Sequence, residues 1–505
     1  MSTLASDGRD MRLQNDRRAR SAAAVAACLL ATGCAVGPNF SRPTAPTFDR
    51  YTVQPGPTRL DADGAAQAVE LGKATDPSWW RQFGSPVLND LVATGLKNSH
   101  TLASATAALQ QSQDLARAGA GVFFPQANAS FGATRERVAP VELGQKGAGS
   151  TFNLYTLTGA VSYAVDLFGG ERRSVEALNA QADYQRYAVG TAYLLLTGNL
   201  VNAAIARAGY AEEADQLAQI VQMDTAQHDI LTAEYKAGYG PLSAVLAAEQ
   251  QLAADRQSLA STRQRQDAST TLLKTLLGKE SGAETPPLPS LTELTVPADA
   301  PVSLPSQLVR QRPDILQAEA SLHQATAEVG VATAALFPSI NITGDYGAAN
   351  TSLGQLSEPI GRFWSIGPSV DMPIFRGGSL LYGRRAAQAA LVKAEADYRQ
   401  TVLGALEQVS DQLKALDADA ETSAANRGAV DAASLNDALA DANLRAGVIA
   451  DYDHLSTQIL EARARIGLIA AKAQRLQDVD ALYVACGGGW DGKGSGSGVA
   501  AETSK

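Results

Sequence analysis

Twice in this chain a helical hydrophobic repeat gives way, at a Phe-Pro pair, to strict two-residue alternation. Ile315, Leu322, Val329 and Leu336 recur every seven residues with alanine-rich filler, the pattern of a helix burying a narrow seam against other helices. After Phe337-Pro338, Ile340, Ile342 and Tyr346 alternate with Asn341, Thr343 and Asp345, which is the rhythm of a strand. Ile366, Pro368, Val370, Met372 and Ile374 then alternate with Ser365, Ser369 and Asp371, and helical pattern resumes after Gly377-Gly378. A shift of 213 residues lays this series on an earlier one: the ladder Leu102, Leu109, Ala116, Phe123, then Phe124-Pro125 and two alternating runs ending at Phe168-Gly169-Gly170. The chain is an internal duplication of a helix–strand–strand–helix unit.

The duplication argues for one unit built of two halves rather than the several domains that 505 residues would otherwise allow. Aromatic residues make up 6% of the chain and alanine is abundant, which favours close-packed long helices over a bulky core. A net charge of −10 speaks against a nucleic-acid surface. After the N-terminal segment no stretch offers the ~20 uninterrupted apolar residues of a spanning helix.

That N-terminal segment is an export signal. Arg17, Arg18 and Arg20 precede an apolar run from Ala22 to Ala31, closed by Thr32-Gly33-Cys34. Met11 is an alternative start, since residues 1–10 add nothing to the pattern. A Cys directly after Thr-Gly resembles a bacterial lipobox, in which the thiol receives diacylglycerol and cleavage leaves Cys34 first; an ordinary signal peptide with an incidental Cys is the plainer alternative. Removing residues 1–33 takes away five Arg and three Asp, which brings the mature chain near −12. Cys28 goes with the signal and Cys34 would be acylated, leaving Cys486 alone and no disulfide framework.

The expected organisation follows. Residues 34–75, rich in Pro, Thr and Gly, form an extended lipid-anchored tether. The first repeat occupies 76–284, with strands at about 125–136 and 152–168. A Pro-rich linker, 285–305, joins it to the second repeat, 306–490, with strands at about 338–350 and 362–376. A polar Gly/Ser tail covers 491–505. Trp79 and Trp80 read as packing or interface anchors rather than a ligand box. Helices of about 100 Å, if uninterrupted, should run from Gly170 to a reversal at Gly238-Tyr239-Gly240-Pro241, with a matching reversal at Gly447 in the second half.

Each half thus brings two strands of roughly ten residues, the length that crosses a tilted path through a bilayer. Four strands cannot close, and an open sheet in lipid leaves unpaired backbone groups costing several kcal/mol each. Other copies must complete it. Two copies would give eight strands with a filled interior; three would give twelve and leave a lumen.

Arg312-Pro313-Asp314-Ile315, Ala318-Glu319, Leu336-Phe337-Pro338, Pro373-Ile374-Phe375 with Gly377-Gly378, and Gly487-Gly488-Gly489-Trp490 resemble the TolC/OprM outer-membrane factor family, and within it the NodT-like lipoproteins of RND efflux systems. The resemblance runs from Cys34 to Trp490. It implies a mainly α fold with a β-barrel portion: a homotrimer whose twelve-stranded outer-membrane barrel continues into a long periplasmic α-helical barrel, with the linker and chain ends in a mixed equatorial region. It implies a lipid-anchored exit duct in the outer membrane that exports drugs or other small molecules, working with a periplasmic adaptor and an inner-membrane RND transporter. No cofactor is expected beyond the lipid on Cys34, and no catalysis. The reversals at Gly238, Gly240 and Gly447 would meet the adaptor. Asp451, Tyr452 and Asp453 would ring the periplasmic constriction, Asp453 by repulsion among three symmetry-related carboxylates; alternatively Asp451 caps the helix and Asp453 is solvated. Two departures from the family pattern are Ser456, where many members carry Asp, and Cys486, where Leu is usual.

Enzyme readings find little support. His100, His228, His323 and His454 are scattered, and no phosphate-loop Lys follows Gly169-Gly170 or Gly377-Gly378. Two other classes remain: a duct serving a type I protein secretion system, against which the lipobox counts, and a trans-periplasmic structural lipoprotein.

Overall fold

The computed structural model describes residues 35–47, 50–51, 59–62, 65–73, 75–139, 144, 148–488 and 490. The expected signal segment and the 491–505 tail lie outside them. In chain order the elements are β1 (Arg59–Ala62), β2 (Ala65–Leu71), α1 (Pro86–Asn98), α2 (His100–Gly119), β3 (Gln126–Val138), β4 (Ser150–Val165), α3 (Gly170–Lys236), α4 (Leu242–Leu276), β5 (Asp299–Val302), α5 (Pro305–Gln311), α6 (Pro313–Ala334), β6 (Ser339–Asn350), β7 (Arg362–Asp371), α7 (Ser379–Arg445) and α8 (Asp451–Ala485). The described residues fall into two compact units, one drawn from 35–42, 110–183 and 319–397, the other from 43–109, 184–318 and 398–490.

The first unit is built on an antiparallel sheet of order β3-β4-β6-β7. Its register joins the two halves of the duplication at the centre, Val161 opposite Gly344 and Tyr163 opposite Ile342. Strand gives way to helix at a tight corner. Gly169 (φ 79°) makes the turn, and the Asp166 carboxylate accepts from the backbone N–H groups of Glu171 and Arg172 at 3.2 and 3.0 Å. Those donors have no intrahelical partner, so the carboxylate caps α3.

Two helical hairpins, α3/α4 and α7/α8, repeat the duplication residue for residue. The long arms have 67 residues each, the short arms 35 each, and the copies are displaced by 209. In the second unit Trp79 is fully buried, stacked on Tyr483 at 5.2 Å and edge-on to Phe83 and Trp80. Arg312 is also buried. Its guanidinium bonds Asp314 at 2.8 Å, Gln408 at 2.5 Å and the Ala485 carbonyl at 2.9 Å, tying the start of α6 to α7 and to the last turn of α8. A cation suits that turn, where carbonyl groups lack helical partners.

Three expectations need correction. The 34–75 tether is not simply extended: β2 pairs antiparallel with β1 and parallel with β5, so the 285–305 linker contributes a strand as well. Gln67 sits in that sheet 1% exposed, its amide donating to the Pro297 carbonyl and accepting from Arg475. Finally, α3 does carry a stretch long and apolar enough to span a membrane by composition. Its Leu200, Val201 and Ile205 are fully buried in the second unit, so the apolar run is core.

Trp79→Ala should cost about 3–5 kcal/mol, because the stacked indole leaves a cavity no neighbour can fill. A lower thermal midpoint of the purified protein is the expected reading, and an unchanged one would contradict the packing role.

Candidate functional site

The first unit's sheet has two chemically distinct faces. Register places Phe131, Leu157, Val161, Tyr163, Ile342, Tyr346, Trp364, Ile366 and Val370 on one side. Most of them are exposed, Trp364 and Ile366 both at 73%. The opposite side carries Asn128, Ser130, Thr158, Ser162, Asn341, Thr343, Asp345, Ser365 and Ser369, with Ser365 donating to Asp345 at 3.1 Å. A continuous exposed apolar face of this kind has lipid as its natural solvent, and the polar face lines water. Strands β3 and β7 end the sheet, each with one row of backbone groups unpaired in the single chain.

A strap leads into this unit. Val36 N–H donates to Phe168 O at 3.0 Å just past the end of β4, and Gly37 crosses Gly330 so closely that a Cβ would come within 2.6 Å of the Gly330 Cα. Phe40 stacks on His323 at 4.3 Å, Asn39 accepts from the buried Arg173, and Arg42 pairs with Glu319 at 2.6 Å. Glu176 accepts from both Arg173 and His323. Burial works to raise its carboxyl, but those two partners outweigh it and hold it below the usual range. Cys34, one residue before the strap, lies outside the described residues.

In the second unit the two helix reversals are the same motif. Gly238 (φ 78°) and Gly447 (φ 70°) take the left-handed position. Tyr239 N–H bonds Glu234 O as Val448 N–H bonds Asn443 O, and Gly238 N–H bonds Tyr235 O as Gly447 N–H bonds Leu444 O, the paired bonds of a Schellman stop. Gly240 needs no left-handed backbone. Tyr239 and Val448 hold equivalent places and are 89% and 70% exposed.

At the acidic start of α8 the structure shows which residue makes the capping bond. Asp451 is exposed at the first helical position. Asp453, also exposed, accepts from the Ala450 N–H at 3.2 Å, so the capping bond belongs to Asp453 and not Asp451. Gln227 of α3 donates to the Tyr452 carbonyl at 3.1 Å and to Ser456 Oγ at 2.7 Å, so Ser456 fastens α8 to α3. Asp437 of α7 accepts from Thr457 at 2.8 Å and lies 3.4 Å from His454.

Further along the same hairpin, Asp224 of α3 meets Asp255 of α4, both under 9% exposed. Asp255 accepts from Arg463 at 3.0 Å and from Gln251 at 2.7 Å. Two buried carboxyls in hydrogen-bond contact share a proton. Burial first, then the Asp255 contact, pushes Asp224 up to about 7. Asp255 stays below its ordinary value because its hydrogen bonds and Arg463 outweigh burial. The second hairpin has a similar pair, Asp419 of α7 against Asp478 of α8, with Asp419 likewise pushed up to about 7 by burial and by Asp478. Nothing in the spacing of single residues marks these pairs. Geometry about the turn does: Asp224 and Asp255 stand 14 residues either side of Gly238 and Pro241, Asp419 and Asp478 28 residues either side of Gly447 and Ala450.

The profile of outer membrane efflux proteins matches residues 91–279 and 304–488, together most of the chain. The chain belongs to that family. It is 28% identical to the pyoverdine export outer membrane protein OpmQ of Pseudomonas aeruginosa, covering 92% of this chain and 96% of that one. To nodulation protein T of Rhizobium leguminosarum bv. viciae it is 28% identical, covering 93% and 94%. The solved outer-membrane channel OprN superposes with a TM-score of 0.79 at 27% identity, over 90% of this chain and all of the other. The fold is that of a TolC-type outer-membrane channel, mainly helical with a β-barrel portion, and its place is the outer membrane.

The shared protons predict a pH dependence with a definite sign. Asp224 and Asp419 bind protons more tightly folded than unfolded, so stability falls as pH rises from about 4 to about 7 and then levels. Asp224→Asn with Asp419→Asn keeps a donor at each contact without a proton and should flatten the profile. Thermal midpoints across that window test this; parallel profiles for wild type and variant would refute it.

Proposed function

We propose that this chain is the exit duct of a tripartite RND-type efflux system, three copies sealing one twelve-stranded barrel in the outer membrane. The observation that carries this reading is the sheet: an apolar face, a small polar face and two open edges. In lipid those edges must pair, and β3 of one copy against β7 of the next is the pairing that three-fold symmetry allows. Eight strands would fill their own interior, whereas twelve leave a passage, and the side chains facing it are mainly Ser, Thr, Asn and Gly. Along α7, Leu403, Leu435 and Leu439 are 60–74% exposed, a surface that a neighbouring copy would cover.

The reversals then form the end that receives a periplasmic adaptor, which couples the duct to an inner-membrane RND transporter. Tyr239 and Val448, presented identically by the two hairpins, offer it paired apolar contacts. Asp453 acts at the constriction. Three exposed carboxylates around one axis repel one another and favour cations there. Its bond to the Ala450 N–H also holds the helix start, so charge and cap must be separated experimentally. The duct contributes no chemistry of its own; direction and energy come from the transporter.

Cys34 carries the lipid. The strap that follows it in the chain fixes Val36 beside the end of β4, which supports an anchor close in sequence to the membrane strands. Cys34→Ser should abolish acylation as read by intact mass of the detergent-extracted protein; an unchanged mass would leave Cys34 unmodified in both.

Deleting the gene should raise intracellular accumulation of exported dyes, with restoration by the wild-type chain; unaltered accumulation would refute an efflux role. Asp453→Gln retains a side-chain acceptor for the cap and loses the charge, so it should raise single-channel conductance in planar bilayers while leaving the unfolding free energy within about 1 kcal/mol of wild type. Unchanged conductance would remove Asp453 from the gate.

A further inference from the structure

Three helices of the second unit enclose a cleft of about 280 Å³ whose lining includes Asn199 and Asn202 of α3, Gln408 and Gln412 of α7, and Asp480 and Val484 of α8. Asp480 is 3% exposed, and its Oδ1 accepts no hydrogen bond from the protein. Gln412 Oε1 is likewise buried without a protein donor. Two neighbouring amide oxygens are already committed. Asn202 Oδ1 accepts from Gln477, and Gln408 Oε1 accepts from Arg312.

No charged side chain of α3 or α7 lines the cleft. Arg312, the guanidinium closest in the bonding network, is turned to Asp314, Gln408 and the Ala485 carbonyl. On α8 itself, Arg475 bonds Gln67 and is drawn by the charge of Asp419, and Asp478 contacts Asp419. Asp480 therefore has burial acting on it without a counter-charge, which drives its carboxyl well above the ordinary range.

The two buried oxygens left without a donor, Asp480 Oδ1 and Gln412 Oε1, call for a guest that brings N–H or O–H donors, and one that draws Asp480 into its charged form must also bring positive charge. Among the described residues no cluster of three His, Cys, Asp or Glu side chains is placed to hold a metal ion. Val484 and Leu195 add an apolar side to the lining, against which a short alkyl group can pack.

We propose that this cleft binds a small primary ammonium ion between Asp480 Oδ1 and Gln412 Oε1. Binding exchanges one cation for one proton. The Asp480 O–H bond breaks, the proton passes to solvent, and the carboxylate left behind pairs with the ammonium, so the charge of the site is unchanged. Affinity then rises with pH, by up to about tenfold per unit while the free site is protonated. The site lies among α3, α7 and α8, apart from the acidic start of α8.

Calorimetric titration of the full-length channel in detergent with methylammonium chloride, at two pH values in buffers of different ionisation heat, reads affinity and proton release together. Tetramethylammonium, which has no N–H, and potassium are the references at equal ionic strength. The expected result is methylammonium binding with release of about one proton per chain. Asp480→Asn should weaken that binding by about tenfold or more, and Gln412→Ala by less. Should Asp480→Asn fail to fold, wild-type proton release still decides the matter. Equal heats for methylammonium and tetramethylammonium, absence of proton release, binding of potassium as strong as that of methylammonium, or unaltered binding by folded Asp480→Asn would each overturn the assignment, leaving a cleft filled by water.

Discussion

Unpaired backbone at the two edges of one sheet sets the terms for the rest of this structure. Strands β3 and β7 each leave a row of N–H and C=O groups without partners, on a sheet whose outward face is apolar. Water would satisfy those groups but not that face; lipid would accept the face but not those groups. Only pairing with another chain satisfies both. The wide polar face, the small side chains along it and the exposed leucines of α7 follow from that requirement, since each is a surface that makes sense only in an assembly. Stability of a chain that folds only in such an assembly consequently depends on its concentration.

Within the second unit the chain has another problem, which is how to bury long helices when aromatic side chains are few. It does so with alanine and β-branched seams around a small aromatic cluster at Trp79 and Tyr483, and with charged groups that are placed rather than avoided. Arg312 closes the end of α8. Asp224 and Asp419 each face a second carboxyl across their hairpin, at positions mirrored about the turn. Displacement by 209 does not superpose one pair on the other: Asp224 falls on Ala433 and Asp255 on Ala464. The pairs occupy non-equivalent positions in the two halves, and each couples hairpin packing to a carboxyl whose proton is held toward neutrality.

Much of this was legible in the residues. The change of period at Phe124-Pro125 and Phe337-Pro338 marked the strands because apolar and small polar side chains alternate over most of their length. Reversals were legible because Gly238 and Gly447 are the residues a left-handed helix stop requires. The small sheet of β1, β2 and β5 was not. Gln67 interrupts the buried face of β2, and β5 carries Pro301 in a Pro-rich run far along the chain, so neither strand shows clean alternation. At the acidic start of α8 the residue types pointed to a cap or a gate, but only backbone geometry could assign the cap to Asp453. The strap of residues 35–42 was hidden for a similar reason. Its contacts with Gly330, Arg173 and His323 join positions more than a hundred residues apart, and composition there indicated only an extended chain.

Covalent capture of the edge pairing tests the account most directly. Cysteine pairs scanned along β3 and β7, oxidised in outer-membrane vesicles, should yield a non-reducing ladder of dimer and trimer, with the trimer as the largest species and no product from either cysteine alone. A ladder that stops at dimer, that runs beyond trimer, or that never forms at any register would contradict a barrel shared by three chains.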